Sequence, residues 1–190
     1  MKVLDDLKKY VPYNENEEKD KEIILEAINT FPDIFYRTNK FAHMTSSAWV
    51  TNKDHTKILM AYHNIYGSFS WLGGHADGEE DLLKVAIREV QEESGIKNVR
   101  ALSNDIFSIE ALTVDGHIKH GEYVSSHLHL NITYLLEADD SEPLVVKQDE
   151  NSAVKWFDVD KAVEASNEKW FRDNVYSKLN KKMGEFYENN

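Results

Sequence analysis

Gly73-Gly74-His75-Ala76-Asp77-Gly78-Glu79-Glu80-Asp81, carried on by residues 82–94 and closed by Gly95-Ile96, is the stretch on which the fold turns. At about 100° per residue, Leu82, Leu83, Ala86, Ile87 and Val90 fall in one apolar stripe, which predicts a helix over roughly 81–94 buried against a sheet. Glu89, Glu92 and Glu93 stand at i, i+3 and i+4 and share one arc beside that stripe. Carboxylates so placed repel one another. They also sit in the last turns of a helix, where the macrodipole favours cations. A solvated acidic face is the plain account of such a helix. A cluster of hard oxygen ligands for Mg²⁺ or Mn²⁺ is the alternative that repays the repulsion. Arg88 stands one turn before Glu92 and can pin it, and Gly95 fits a left-handed residue ending the helix.

Outward from this stretch, Val3, Leu4, Leu7, Tyr10 and Val11 have helical spacing before Pro12. A polar stretch from Asn14 to Asp20 leads to a second amphipathic run, Ile23 to Phe31, ended by Pro32. Strand-like segments follow at 46–50, 57–62, 99–114, 125–137 and 154–157, with turn residues between them. The C-terminal remainder reads as helical, with Asp158 and Asn167 as candidate N-caps. Strands alternating irregularly with helices predict an α/β sandwich with a central mixed sheet. The expected organisation is a helical N-terminal extension over 1–40, a main domain over 41–165 and a C-terminal helix over 166–190.

Composition narrows the chemistry. The 190 residues are 41% hydrophobic, enough for a core, and carry a formal net charge of -12. That charge argues against DNA backbones and anionic membranes as partners. It also repels an anionic substrate unless a bound cation reverses the local field. With no cysteine, disulfides, zinc–thiolate sites and cysteine nucleophiles are excluded. No apolar run approaches the roughly 20 residues of a membrane span. The N-terminus turns acidic where a secretory signal would turn apolar, so a cytoplasmic protein is expected.

The stretch from Gly74 to Ile96 resembles the signature of the Nudix hydrolases. Gly74, Glu80, Arg88, Glu89, Val90, Glu92, Glu93, Gly95 and Ile96 meet its specified positions without gap or mismatch. Gly78 stands one residue earlier than the glycine many members carry before the helix, and Glu79 takes its place. The resemblance implies a Nudix α/β/α sandwich over the core and a magnesium- or manganese-dependent pyrophosphohydrolase acting on a small phosphorylated substrate. It implies Glu89, Glu92 and Glu93 as metal ligands, with the Gly73 carbonyl as a further one. Arg88 and Glu80 would orient them. Glu150 would be an acid recruited from across the cleft, with Asp149 competing for that role. Glu89 and Glu150 both stand as general base. Homodimers are common in the family.

Outside the signature, His127 and His129 alternate and so share one face of a strand. They either line the substrate cleft or are ordinary hydrogen-bonded sheet residues. His75, within the signature loop, is a further substrate-binding candidate and His43 a weaker one. His117 and His120 fall at a hairpin tip. Trp49, Trp71 and Trp156 either stack a base or fill the core. The proline that ADP-ribose enzymes carry downstream of the signature is missing, since the prolines are Pro12, Pro32 and Pro143. A nucleoside diphosphate derivative is the default substrate. A catalytically idle nucleotide-binding module is the rival reading, although such modules tend to lose signature acids, and all are present. An isoprenoid diphosphate isomerase on the same fold would need a cysteine.

Overall fold

Strand β1 (Ala42–Thr51) is buried along its whole length, although half of its side chains are polar. A strand with covered faces on both sides lies inside a sheet, and its polar groups must then find partners. The computed structural model describes residues 1–119, 121–146 and 151–189. Helices α1 (Lys2–Lys9) and α2 (Glu15–Thr30) precede β1. β2 (Lys57–His63), β3 (Ser68–Ser70), β4 (Leu72–His75) and helix α3 (Leu82–Ser94) follow it. Next come β5 (Val99–Ala101), β6 (Ser108–Val114), β7 (His117–Lys119), β8 (Glu122–Val124), β9 (His127–Ala138) and β10 (Asn151–Asp158). α4 (Val159–Ala165), α5 (Lys169–Phe171), a π-helical turn (Arg172–Tyr176) and α6 (Ser177–Glu188) end the chain. Eight strands share a sheet whose hydrogen-bonded order is β10-β2-β1-β9-β5, with β3 on β2, β4 on β1 and β6 on β9. β7 and β8 form a separate hairpin. No helix among the described residues is long and apolar enough to cross a membrane.

Two compact units are distinguished, one of Met1–Ser47, Gly73–Ala86 and Asn104–Tyr134, the other of Ala48–Leu72, Ile87–Ser103 and Leu135–Asn190. In the first, α2 packs on β6 and buries Ile24, Ala27 and Ile28. β6 and β9 pair antiparallel with Ser108 opposite Thr133, Glu110 opposite Asn131, Leu112 opposite His129 and Val114 opposite His127. Directly opposed residues share a face, so a polar stripe runs under α2. Asn131 is its hub: its Oδ1 accepts from Thr45 Oγ1 (3.1 Å) and Ser47 Oγ (2.8 Å), and its Nδ2 donates to Glu110 Oε2 (2.9 Å). Glu17, fully buried on α2, accepts from Tyr10 OH (2.5 Å) and the Tyr13 N–H (2.8 Å). Ser108 Oγ lies 2.9 Å from Glu17 Oε1 and 2.5 Å from Glu110 Oε1. Burial and the Glu17 carboxylate push the Tyr10 phenol up, which keeps it protonated as a donor.

In the second unit, β2 pairs with both β10 and β3. Trp49 is fully buried, stacks on Tyr176 at 5.5 Å and donates its indole N–H to Asn180 Oδ1 at 3.1 Å. It is a core residue. Trp71 meets Phe171 and Tyr176 edge-on.

Several local expectations change. α2 begins at Glu15, inside the polar stretch that precedes the second amphipathic run, because Asn14 Oδ1 caps the Glu17 N–H at 3.0 Å and three acids follow in the first turn. The segment 99–114 is two strands, broken at Ser103-Asn104-Asp105, whose side chains favour turns. Asn167 does not cap a helix: its side chain donates to the Gly67 carbonyl at 3.0 Å. Asp158 holds the N-cap position of α4 without a capping hydrogen bond.

Candidate active site

Helix α3 starts where Glu79 Oε1 accepts the Asp81 N–H at 3.1 Å, with Lys84 reaching back to Glu79 Oε2 at 2.7 Å. Those contacts hold Glu79 below the usual carboxylate range. Leu82, Leu83, Ala86 and Val90 are buried, as the periodicity requires, whereas Ile87 at the edge of the stripe is half-buried and Val85, outside it, is buried. The helix ends where Gly95, at φ +75°, donates its N–H to Gln91 O at 2.9 Å. A Cβ there would also meet Val145 at 2.8 Å, so glycine is required twice over.

The three glutamates near this end differ in exposure. Glu93 is 2% exposed and Glu89 9%, whereas the Glu92 side chain keeps 47% of its surface open. Arg88 donates from Nη2 to Glu89 Oε1 at 2.8 Å, while its Nε stays 3.8 Å from Glu92. It therefore steadies chiefly Glu89, not Glu92 as the one-turn spacing suggested. The reason is burial: a carboxylate with little water gains more from a guanidinium than an exposed one does. Asn151, the first residue of β10, donates from Nδ2 to Glu93 Oε1 at 3.0 Å. Its own Oδ1 is buried and has no hydrogen-bond partner among the described residues. A buried amide oxygen without a donor, beside a buried carboxylate, is a donor set suited to a hard divalent cation.

Asn151 was missed in the sequence. The signal available was its place directly after Asp149-Glu150. Both of those acids lie outside the described residues, as does His120.

The signature loop belongs to the first unit. Its opening is strand β4 rather than irregular chain, and at Gly73 a Cβ would stand 2.5 Å from Ser46 O. Only glycine lets β4 lie this close to β1. Asp77 (φ +48°) and Gly78 (φ +90°) make the turn, with the Tyr36 ring against Gly78 and Arg37 forking onto Asp77 with two 2.7 Å bonds. Glu80 is exposed.

β1, β4 and β9 bring four histidines of the first unit together. The His43 ring centroid lies 5.1 Å from His75, 4.8 Å from His127 and 4.9 Å from His129. Burial and the neighbouring imidazoles push His129 down to about 2 from 6.5, and burial lowers His43. Both rings bind a proton less readily in the folded protein than in the unfolded chain. In the unfolded chain they take up protons below pH ~6.5. The unfolded state then binds more protons, so stability is full above that pH and falls as pH drops below it. Melts of EDTA-treated protein at about pH 7.5 and 5.5 should show a lower Tm in acid, and a smaller drop for His129→Gln. An identical drop in that variant would refute the assignment.

The family model for the NUDIX domain matches residues 42–179. The chain belongs to the NUDIX family. It is a Nudix-type hydrolase, and its mixed sheet with flanking helices is the α/β fold of that family. Among solved structures it is similar to a Clostridium perfringens NUDIX-family hydrolase, with 21% identity over 76% of this chain and 97% of that one, and a TM-score of 0.52. The Caenorhabditis elegans Ap4A hydrolase covers 77% of this chain and 98% of its own at 17% identity, with a TM-score of 0.51. The Escherichia coli dihydroneopterin triphosphate pyrophosphohydrolase covers 70% and 92% at 17% identity, with a TM-score of 0.53. At these identities the likeness speaks for the fold. A sequence search of curated proteins finds no match.

Proposed function

We propose that this Nudix hydrolase is divalent-metal-dependent and cleaves a diphosphate linkage in a nucleoside diphosphate derivative or similar small phosphorylated molecule. The observation that carries the reading is the burial of Glu89 and Glu93 beside exposed Glu92 at one helix end, with an Asn151 oxygen next to Glu93 that has no hydrogen-bond partner among the described residues. Glu89, Glu92 and Glu93 hold Mg²⁺ or Mn²⁺ in this reading. Gly73, Glu80 and Glu150 keep the roles that the signature lends them. The bound cation supplies charge neutralisation for the diphosphate and acidifies a water. Arg88 fixes the Glu89 rotamer, and Asn151 fixes that of Glu93. Glu89 or Glu150 takes the proton from the attacking water. His75, His127 and His129 face the substrate. The net charge of -12 keeps nucleic acid from being the partner.

The test is phosphate release from a panel of dinucleoside polyphosphates, pterin and nucleoside triphosphates, sugar nucleotides and coenzyme A, with Mg²⁺, Mn²⁺ or EDTA. The names of two structural neighbours, an Ap4A hydrolase and a dihydroneopterin triphosphate pyrophosphohydrolase, choose the first compounds. Cleavage of one class that EDTA abolishes is the expected result. Turnover undiminished by EDTA would overturn the metal mechanism.

A further inference from the structure

We propose that His43, His75, His127 and His129 form a binding site for a borderline transition-metal ion such as Zn²⁺, distinct in ligand chemistry from the carboxylates of α3. Four imidazoles converge where the strand pattern places residues 43, 127 and 129 on facing positions and β4 delivers His75. One ligand nitrogen each from His43, His75 and His129 lies within 4.8 Å of the others, and His127 Nε2 is 3.3 Å from His129 Nε2. Zinc–nitrogen bonds of about 2.1 Å in a tetrahedron set nitrogens roughly 3.4 Å apart. The His127–His129 pair already meets that spacing, and small ring rotations bring in the rest.

Two further observations aim the rings at a cation. His43 Nδ1 lies 3.2 Å from Asn39 O, and His127 Nδ1 lies 2.8 Å from Ser125 O. A carbonyl accepts only from N–H, so each Nδ1 carries the proton and each Nε2 presents a lone pair. This is the outer hydrogen bond that metal-ligating histidines generally make. His43 is 5% exposed, and its Nε2 has no hydrogen-bond partner among the described residues. A buried imidazole nitrogen left in that state is costly, and a coordinate bond offsets the cost. Imidazole donors select Zn²⁺, Ni²⁺ or Cu²⁺ over Mg²⁺.

The site goes beyond the hydrolase reading and does not require it, since it is tested with metal alone. EDTA-stripped, tag-free protein is titrated with Zn²⁺ against a fluorescent chelator in excess Mg²⁺, and Co²⁺ loading is followed by visible absorption. One tight equivalent is expected in wild type and in Glu93→Gln. A loss of at least roughly 100-fold in affinity, with loss of the cobalt band, is expected in His129→Ala and His43→Ala. His127→Ala, at a half-buried position, repeats the test should a buried variant misfold, and exposed His55→Ala serves as control. Absence of a tight equivalent in wild type, retention of it in the cluster variants, or its loss in Glu93→Gln would each overturn the proposal.

Discussion

Glu92→Gln and Glu93→Gln should each lower kcat on the order of 10²–10³-fold, about 2.7–4 kcal/mol of transition-state stabilisation, while the protein stays folded. Each removes half a charge-assisted contact from a cluster whose like charges make sense only around a cation. The two variants should part company in stability. Glu92 is exposed, so neutralising it relieves repulsion at the helix end and leaves Tm unchanged or slightly raised. Glu93 is buried and accepts from Asn151 Nδ2. A glutamine there must turn its carbonyl to Asn151 or face amide against amide, costing about 1–3 kcal/mol. Steady-state kinetics under a Mg²⁺ titration, paired with thermal melts, separate the two effects. Wild-type turnover in both variants would remove the carboxylates from the mechanism.

Glu17→Ala should destabilise the fold by about 3 kcal/mol, the general cost of breaking a buried charged network from one side. It removes the fully buried carboxylate that accepts from the half-buried Tyr10 hydroxyl and Tyr13 N–H. Glu17→Gln should stay within about 1 kcal/mol of wild type. Ser108 has one hydroxyl proton and two carboxylates within reach, so it can donate to only one of them. A glutamine amide would donate to Ser108 Oγ, freeing that proton for Glu110, while its carbonyl accepts from Tyr10 and Tyr13. Urea unfolding of both variants decides the matter. Equal damage from alanine and glutamine would show that the charge, not the hydrogen-bond pattern, is what the site requires.

How far the residues alone reach is visible in α3. Its apolar stripe, its three carboxylates at i, i+3 and i+4 and its closing glycine are relations between near neighbours. Backbone geometry enforces such relations wherever a helix forms, so they were legible in the sequence. The alternation of His127 and His129 was legible for the same reason in a strand. Four features were not. β4 carries Gly73-Gly74-His75, which has no strand pattern, and it becomes a strand only because β1 accepts its backbone closely. Asn151 and Glu93 stand 58 residues apart and meet only through the folding of β10 onto β2. Glu17, within the stretch read as polar, is the buried centre of a network with Ser108. His43 and His75 join the β9 histidines only because β1 pairs with both β9 and β4. Periodicity along the chain specifies which face a side chain occupies. Which faces then meet depends on strand register, and register is settled by the burial of the whole apolar pattern at once, a property no local stretch carries.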